Sequence, residues 1–154
     1  MKAIALSALT ILALAAGSVS ANEEPFWYLQ TSVYTTHWNH DPIHNNHQDL
    51  IGLEHHNGEG RFVGAATFRN SFRQRTQYAY VGKRYEAQSL PVYAKLSAGV
   101  IQGYRGEYRD KIPLNRFGVA PAIIPALGAH WGSVGSELVL FGNAGAMITT
   151  GVRY

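Results

Sequence analysis

Histidine is the side chain whose ordinary pKa suits it to move protons near neutral pH, and four histidines, His37, His40, His44 and His47, crowd the first polar stretch of this chain. Spaced three, four and three apart, they would line one face of a helix and suit a zinc ion. Pro42 and the Asn45-Asn46 pair disfavour a helix there. The stretch therefore reads as a polar loop, with no metal or other cofactor expected. A later polar stretch reads Phe68-Arg69-Asn70-Ser71-Phe72. Ser71 beside Asn70 suits a turn, and it also suits catalysis if a histidine lies within hydrogen-bond reach. An imidazole that takes the serine proton makes the hydroxyl, or a substrate hydroxyl that it positions, a nucleophile toward an ester. His37 is the histidine that the strand arrangement can bring to Ser71.

The elements that must position these residues follow an export leader. Lys2, the apolar stretch Ala3 to Ala16 and the small residues ending in Val19-Ser20-Ala21 have the grammar of a signal peptide cleaved after Ala21. The apolar part is short for a spanning helix, which needs about 20 residues. Removing Lys2 lowers the formal charge from +3 to +2. With Lys and Arg interspersed among Tyr, Gly and acids, no nucleic-acid partner is expected. The chain has no cysteine, so no disulfide framework holds it together.

Beyond residue 22 no sustained 3.6-residue apolar pattern appears, but period-two alternation does. Val92, Ala94, Leu96, Ala98 and Val100 share one face while Tyr93, Lys95, Ser97 and Gly99 share the other, a phase that puts Lys95 inside. Ala146, Ile148, Thr150, Val152 and Tyr154 alternate with Met147, Thr149, Gly151 and Arg153 in the same way. The pattern predicts strands over 26–38, 48–56, 61–69, 76–86, 91–104, 117–130, 134–141 and 145–154. The fold class is thus all-β: one domain, 22–154, forming an eight-stranded antiparallel transmembrane β-barrel of the outer membrane. Short connections at 57–60, 87–90 and 131–133 alternate with longer polar ones at 39–47, 70–75 and 105–116, the asymmetry expected of periplasmic turns and outer loops. Aromatic residues fall toward the predicted strand ends, among them Tyr28, Tyr34, Trp38, Tyr104 and Trp131, where interfacial girdles would sit. A barrel puts His37, at the end of the first strand, on the same end as Ser71.

The run Tyr34-Thr35-Thr36-His37-Trp38, the run Phe68-Arg69-Asn70-Ser71-Phe72, and Lys111-Ile112-Pro113-Leu114 followed by Pro121 and Pro125 occur in the order of three motifs of the lipid A palmitoyltransferase family, which the chain resembles over most of its length. The resemblance implies transfer of a palmitoyl chain from a phospholipid to lipid A in the outer leaflet of the outer membrane, with the active site facing the cell surface; a monomer is expected, though the sequence does not fix the oligomeric state. His37 would be the general base and Ser71 the catalytic hydroxyl. Asn70 stands where the family pattern has Asp, and can orient an imidazole by a hydrogen bond but not by charge. Gly82 occupies a position resembling the residue that closes the family's acyl pocket.

An eight-stranded barrel has an interior wide enough for one small ligand or for its own side chains. Ala65, Ala79, Gly99, Gly103, Gly118, Ala120, Ala122 and Gly128 would leave room for an acyl chain. Pro113, Pro121 and Pro125 cannot donate ladder hydrogen bonds, so they could open gaps between strands. Arg105, Arg109, Lys111 and Arg116 crowd the fifth connection, where the phosphates of lipid A would lie. A non-catalytic outer-membrane barrel and a soluble ligand-binding barrel are the alternatives, whereas an open aqueous pore is disfavoured by the strand number.

Overall fold

The computed structural model describes residues 24–39, 42, 44–106, 118–142 and 145–154. The leader expected over 1–21, and with it His40, Arg109, Lys111, Pro113 and Arg116, lie outside the described residues. The strands are β1 (Phe26–His37), β2 (Ile51–His56), β3 (Arg61–Arg69), β4 (Arg75–Glu86), β5 (Val92–Gln102), β6 (Val119–Trp131), β7 (Val134–Leu140) and β8 (Gly145–Arg153). Each pairs antiparallel with its neighbour, and β8 returns to β1, so the sheet closes into an all-β, eight-stranded barrel.

The strand ends follow from backbone chemistry. β2 begins at Ile51 instead of residue 48 because Asp49 is left-handed (φ 48°), which breaks the extended run. β5 stops at Gln102 because Gly103 takes φ 141°, a conformation that L-residues rarely adopt.

The alternation decides what faces where. Val92, Leu96, Ala98 and Val100 of β5 point outward while Tyr93, Lys95 and Ser97 point in. Trp27, Leu29, Val33, Ile51, Leu53, Val63, Val81, Ile123, Leu138, Ile148 and Val152 continue the apolar outer surface around the barrel. Exposed aromatics cap that surface at both ends, with Trp27, Trp131 and Tyr154 at one and Tyr34 and Trp38 at the other.

The polar residues are inside. Midway down the lumen the Lys95 ammonium donates to both carboxylate oxygens of Glu54 (2.6 and 2.8 Å) and of Glu137 (3.0 and 3.0 Å). Tyr80 donates to Glu54 at 2.9 Å, Tyr93 to Glu137 at 2.8 Å, and His56 bonds Glu54 at 2.9 Å. Burial of charge is tolerable only with such full pairing. Toward the end where β1 begins, Arg84 pairs with Glu86, and His130 with Glu86 at 3.2 Å. Large rings fill the spaces between these charges by lying over glycines of neighbouring strands: Tyr80 over Gly64, Tyr93 over Gly128 and Tyr28 over Gly151.

Candidate active site

At the opposite end, the connections β1–β2, β3–β4 and β5–β6 meet. Asn45 ties the first two together. Its N–H donates to the Ser71 carbonyl at 2.7 Å, and its side-chain amide donates to the carbonyls of His47 (2.8 Å) and Asn70 (3.3 Å). Gln48 adds to this, donating its side-chain amide to the Asn45 carbonyl at 2.9 Å and accepting from the Arg69 N–H at 2.7 Å. The clasp sets Asn46 and Ser71 on either side of His37.

His37 Nε2 lies 2.7 Å from Ser71 Oγ, and its Nδ1 lies 2.7 Å from Asn46 Oδ1. An amide oxygen can only accept, so this contact requires the imidazole proton on Nδ1. Nε2 is then the free base, and the serine hydroxyl donates to it. His37 is itself buried. Its ring stacks on that of His44 with centroids 4.6 Å apart, a face-to-face arrangement.

Asn70, expected to orient the histidine, does not do so. It is 1% exposed, and its Oδ1 accepts from the N–H groups of Phe72 (2.9 Å) and Gln74 (3.1 Å). The residue instead shapes the turn that presents Ser71, and the partner on the imidazole is Asn46. The same bond engages the Phe72 N–H, so the backbone donor that follows the serine is already used.

Two further hydroxyls line the same cavity as the pair. Tyr104, just beyond β5, is half-buried beside Ser71; desolvation pushes its hydroxyl up from its ordinary value, and a hydrogen bond with Ser71 works the other way. Thr35, two residues before His37 on the same face of β1, is 3% exposed, lines the lumen, and its hydroxyl has no partner among the described residues. A buried hydroxyl without a partner is uncommon.

Below His37 and Ser71 a cavity of about 150 Å³ descends the lumen. A single water needs roughly 10–15 Å³, so the space takes a file of waters or a short alkyl segment. Leu50, Ala66, Phe68, Ile101, Ile124 and Met147 contribute its apolar walls, and its floor is the Glu54–Lys95–Glu137 cluster with Tyr80. From Ile101 to Lys95 the wall runs six residues, roughly 20 Å along the strand.

Gly82, expected to close this pocket, is not part of its lining. A Cβ at Gly82 would fall on the Phe62 ring and the Leu96 carbonyl, so the glycine serves ring packing below the charged floor. The small residues expected to make room are likewise used elsewhere. Ala65 and Ala79 face outward, Gly128 lies under Tyr93, and Gly99 lies against the backbone at Ala79 and Tyr80. The positions that hollow out the cavity are Ala66, Ala126 and Gly145.

Two ladders stop short at this end. β1 pairs with β2 only up to Thr31, leaving Ser32–His37 without a β2 partner, and β6 pairs with β7 only from Ala126 onward. The His130 N–H donates toward β5, to Pro91 at 2.9 Å. Even-numbered β6 residues therefore bond to β5, and the odd-numbered Pro121 and Pro125 direct their missing donors toward β7. The β5–β6 ladder stays unbroken past both prolines. The prolines thus act on one side of β6 only.

Arg105 is exposed on the same rim; its N–H donates to the Gln74 side chain at 3.0 Å, and its carbonyl accepts from Gln74 at 3.1 Å. Arg69 at the end of β3, which lies 3.8 Å from Asp49, Arg73 in the β3–β4 connection and Arg75 at the start of β4 are also exposed there. Neither models of known protein families nor curated proteins match the chain.

Proposed function

We propose that this protein is an outer-membrane acyltransferase that moves a palmitoyl chain from a phospholipid to a hydroxyl-bearing acyl chain of lipid A. The observation that carries the reading is the His37–Ser71 hydrogen bond of 2.7 Å at the mouth of a lumen cavity with apolar walls. A base and an alcohol held together at the top of an alkyl-sized channel suit an ester whose acyl tail lies in that channel. The Thr35 hydroxyl, buried in the cavity lining without a partner among the described residues, is the candidate donor to the carbonyl oxygen as negative charge develops there.

Placement in the outer membrane is supported by the apolar outer surface bounded by aromatics at both ends. Such a surface would be a liability in water, and a closed barrel leaves no open sheet edge to lipid. Lipid tails would enter sideways where the ladder beside β6 stops short, at Pro121 and Pro125. The cationic rim suits the phosphates of lipid A, with Arg105 joined by Arg69, Arg73 and Arg75.

The test is mass spectrometry of lipid A from cells with and without the protein, together with membrane fractionation. Added palmitate and a heat-modifiable outer-membrane protein are expected. A correctly folded outer-membrane protein that leaves lipid A unaltered would favour a non-catalytic barrel, and recovery as a soluble periplasmic protein would overturn the architecture.

A further inference from the structure

The direction of the hydrogen bonds around His37 separates two ways of transferring an acyl group. In direct transfer, the base activates the acceptor hydroxyl and Ser71 only positions it. In covalent transfer, the base activates Ser71 itself. The Nε2 lone pair is occupied by the Ser71 hydroxyl at 2.7 Å, the Nδ1 proton is held by Asn46 at 2.7 Å, and both His37 and Ser71 line the cavity that would hold the acyl tail. The chain Asn46–His37–Ser71 is thus that of an activated serine, with an amide as the third member.

We propose that acyl transfer passes through an ester on Ser71, with Asn46 as the positioning residue that fixes the imidazole tautomer. This rests on the acyl-transfer reading above and goes beyond it in assigning the nucleophile. Ser71 Oγ forms a bond to the donor ester carbon while its proton moves to His37 Nε2. The tetrahedral intermediate collapses by breaking the bond to the glycerol oxygen, which takes that proton and leaves as lysophospholipid. The acceptor hydroxyl then gives its proton to His37 Nε2 and attacks the acyl-Ser71 carbonyl. Ser71 leaves and recovers the proton. Because the Phe72 N–H is committed to Asn70 and the Tyr104 hydroxyl is hydrogen-bonded with Ser71, the candidate oxyanion donor is the Thr35 hydroxyl, which lines the cavity without a partner among the described residues.

The experiment uses the full protein folded in detergent with p-nitrophenyl palmitate and no acceptor. The expected result is a burst of about one p-nitrophenol per active protein, and on acid quenching a hydroxylamine-sensitive palmitoyl adduct mapped to Ser71 by mass spectrometry. Ser71→Ala should give neither. Asn46→Leu should lower kcat for the burst by ten-fold or more at nearly constant KM, while Asn46→Asp, which keeps an acceptor on Nδ1, should restore most of it. A residue that merely held the loop would not show rescue by the carboxylate. If the same preparation palmitoylates lipid A yet shows no burst and no adduct, transfer is direct and the proposal is wrong while the transferase reading stands. If the adduct forms but lipid A is never modified, the proposal stands and the choice of acceptor is wrong. Equal activity of Asn46→Leu and wild type would remove Asn46 from the account.

Discussion

Toward the end where β1 begins, the lumen is filled by Arg84, Glu86, His56, Glu54, Lys95, Glu137 and the rings of Phe26, Phe62, Tyr28 and Tyr93, leaving small cavities of about 10 and 20 Å³. Toward the other end the same eight strands enclose a cavity. Both halves are barrel interior, and both carry large and small residues. What differs is how glycine and alanine are used. In the packed half a small residue makes a seat for a ring from the next strand, so little space is left. In the hollow half Ala66 and Ala126 face the cavity. The charges follow the same division: paired and out of reach in one half, and reduced at the other to a polar rim around His37. A barrel of this size can therefore hold a site by leaving half its lumen unfilled, with the other half as a rigid floor.

The largest effect expected from breaking this division is on stability. Lys95→Met leaves Glu54 and Glu137 buried against each other without their cation, and loss of one partner of a buried pair costs about 3–5 kcal/mol. Urea unfolding in detergent should show it, whereas Ile124→Val on the cavity wall should cost only about 0.5–1.5 kcal/mol. Similar losses from both would mean that the floor is no stronger than the wall.

Next comes the turn that presents Ser71. Asn70→Ala strands the Phe72 and Gln74 N–H groups, at about 1–3 kcal/mol for groups left unsatisfied, and should lower acyl transfer by displacing Ser71. Asn70→Asp keeps the accepting oxygen and should retain activity. If Asn70→Ala left the turn as stable as before, as judged by proteolysis, the assignment of Asn70 to the turn would fail.

The third expectation is a change of substrate without loss of fold. Ala126→Phe should shorten the acyl chain accepted, because the new ring enters the cavity above the charged floor. Gly82→Ala should leave chain length unchanged and reduce stability, because its methyl meets Phe62 below that floor. Chain-length profiles against a series of phospholipids would settle the pair, and the reverse outcome would move the end of the acyl pocket down to Gly82. The smallest effect belongs to the rim. Arg105→Gln should weaken acceptor binding by a few-fold at low salt and by less at high salt, since exposed charges are screened; no salt dependence would exclude a phosphate contact.

Much of the barrel was legible because period-two alternation is imposed by the strand itself. The alternation around Lys95 assigned that charge to the lumen, and the positions of all eight strands follow the sequence pattern to within a few residues. The pairing of Lys95 with Glu54 and Glu137 was not legible, because it depends on barrel closure and stagger across residues 41 and 42 positions apart. That His37 and Ser71 come together was legible from residue type and their common end of the barrel. Asn46 was missed because its path depends on a single backbone bond from Asn45 to Ser71 that has no signature in the sequence. Asn45-Asn46 carried a hint, as adjacent amides suit turns, but nothing in the pair says which one reaches the histidine. Gly82 was misplaced for the converse reason: a glycine in a strand has no side chain to show whether the space above it is empty or filled by a neighbour's ring.

The central claim is that His37, at the mouth of the hollow half, activates an acyl transfer onto lipid A. The most direct test is lipid A mass spectrometry in cells lacking the native protein and producing either wild type or His37→Ala, with both shown to be folded and in the outer membrane. General-base assistance is worth about 10²–10⁴-fold in rate, so the account predicts palmitoylated lipid A with wild type and none detectable with His37→Ala. A full complement of palmitate from the folded His37→Ala protein would contradict it.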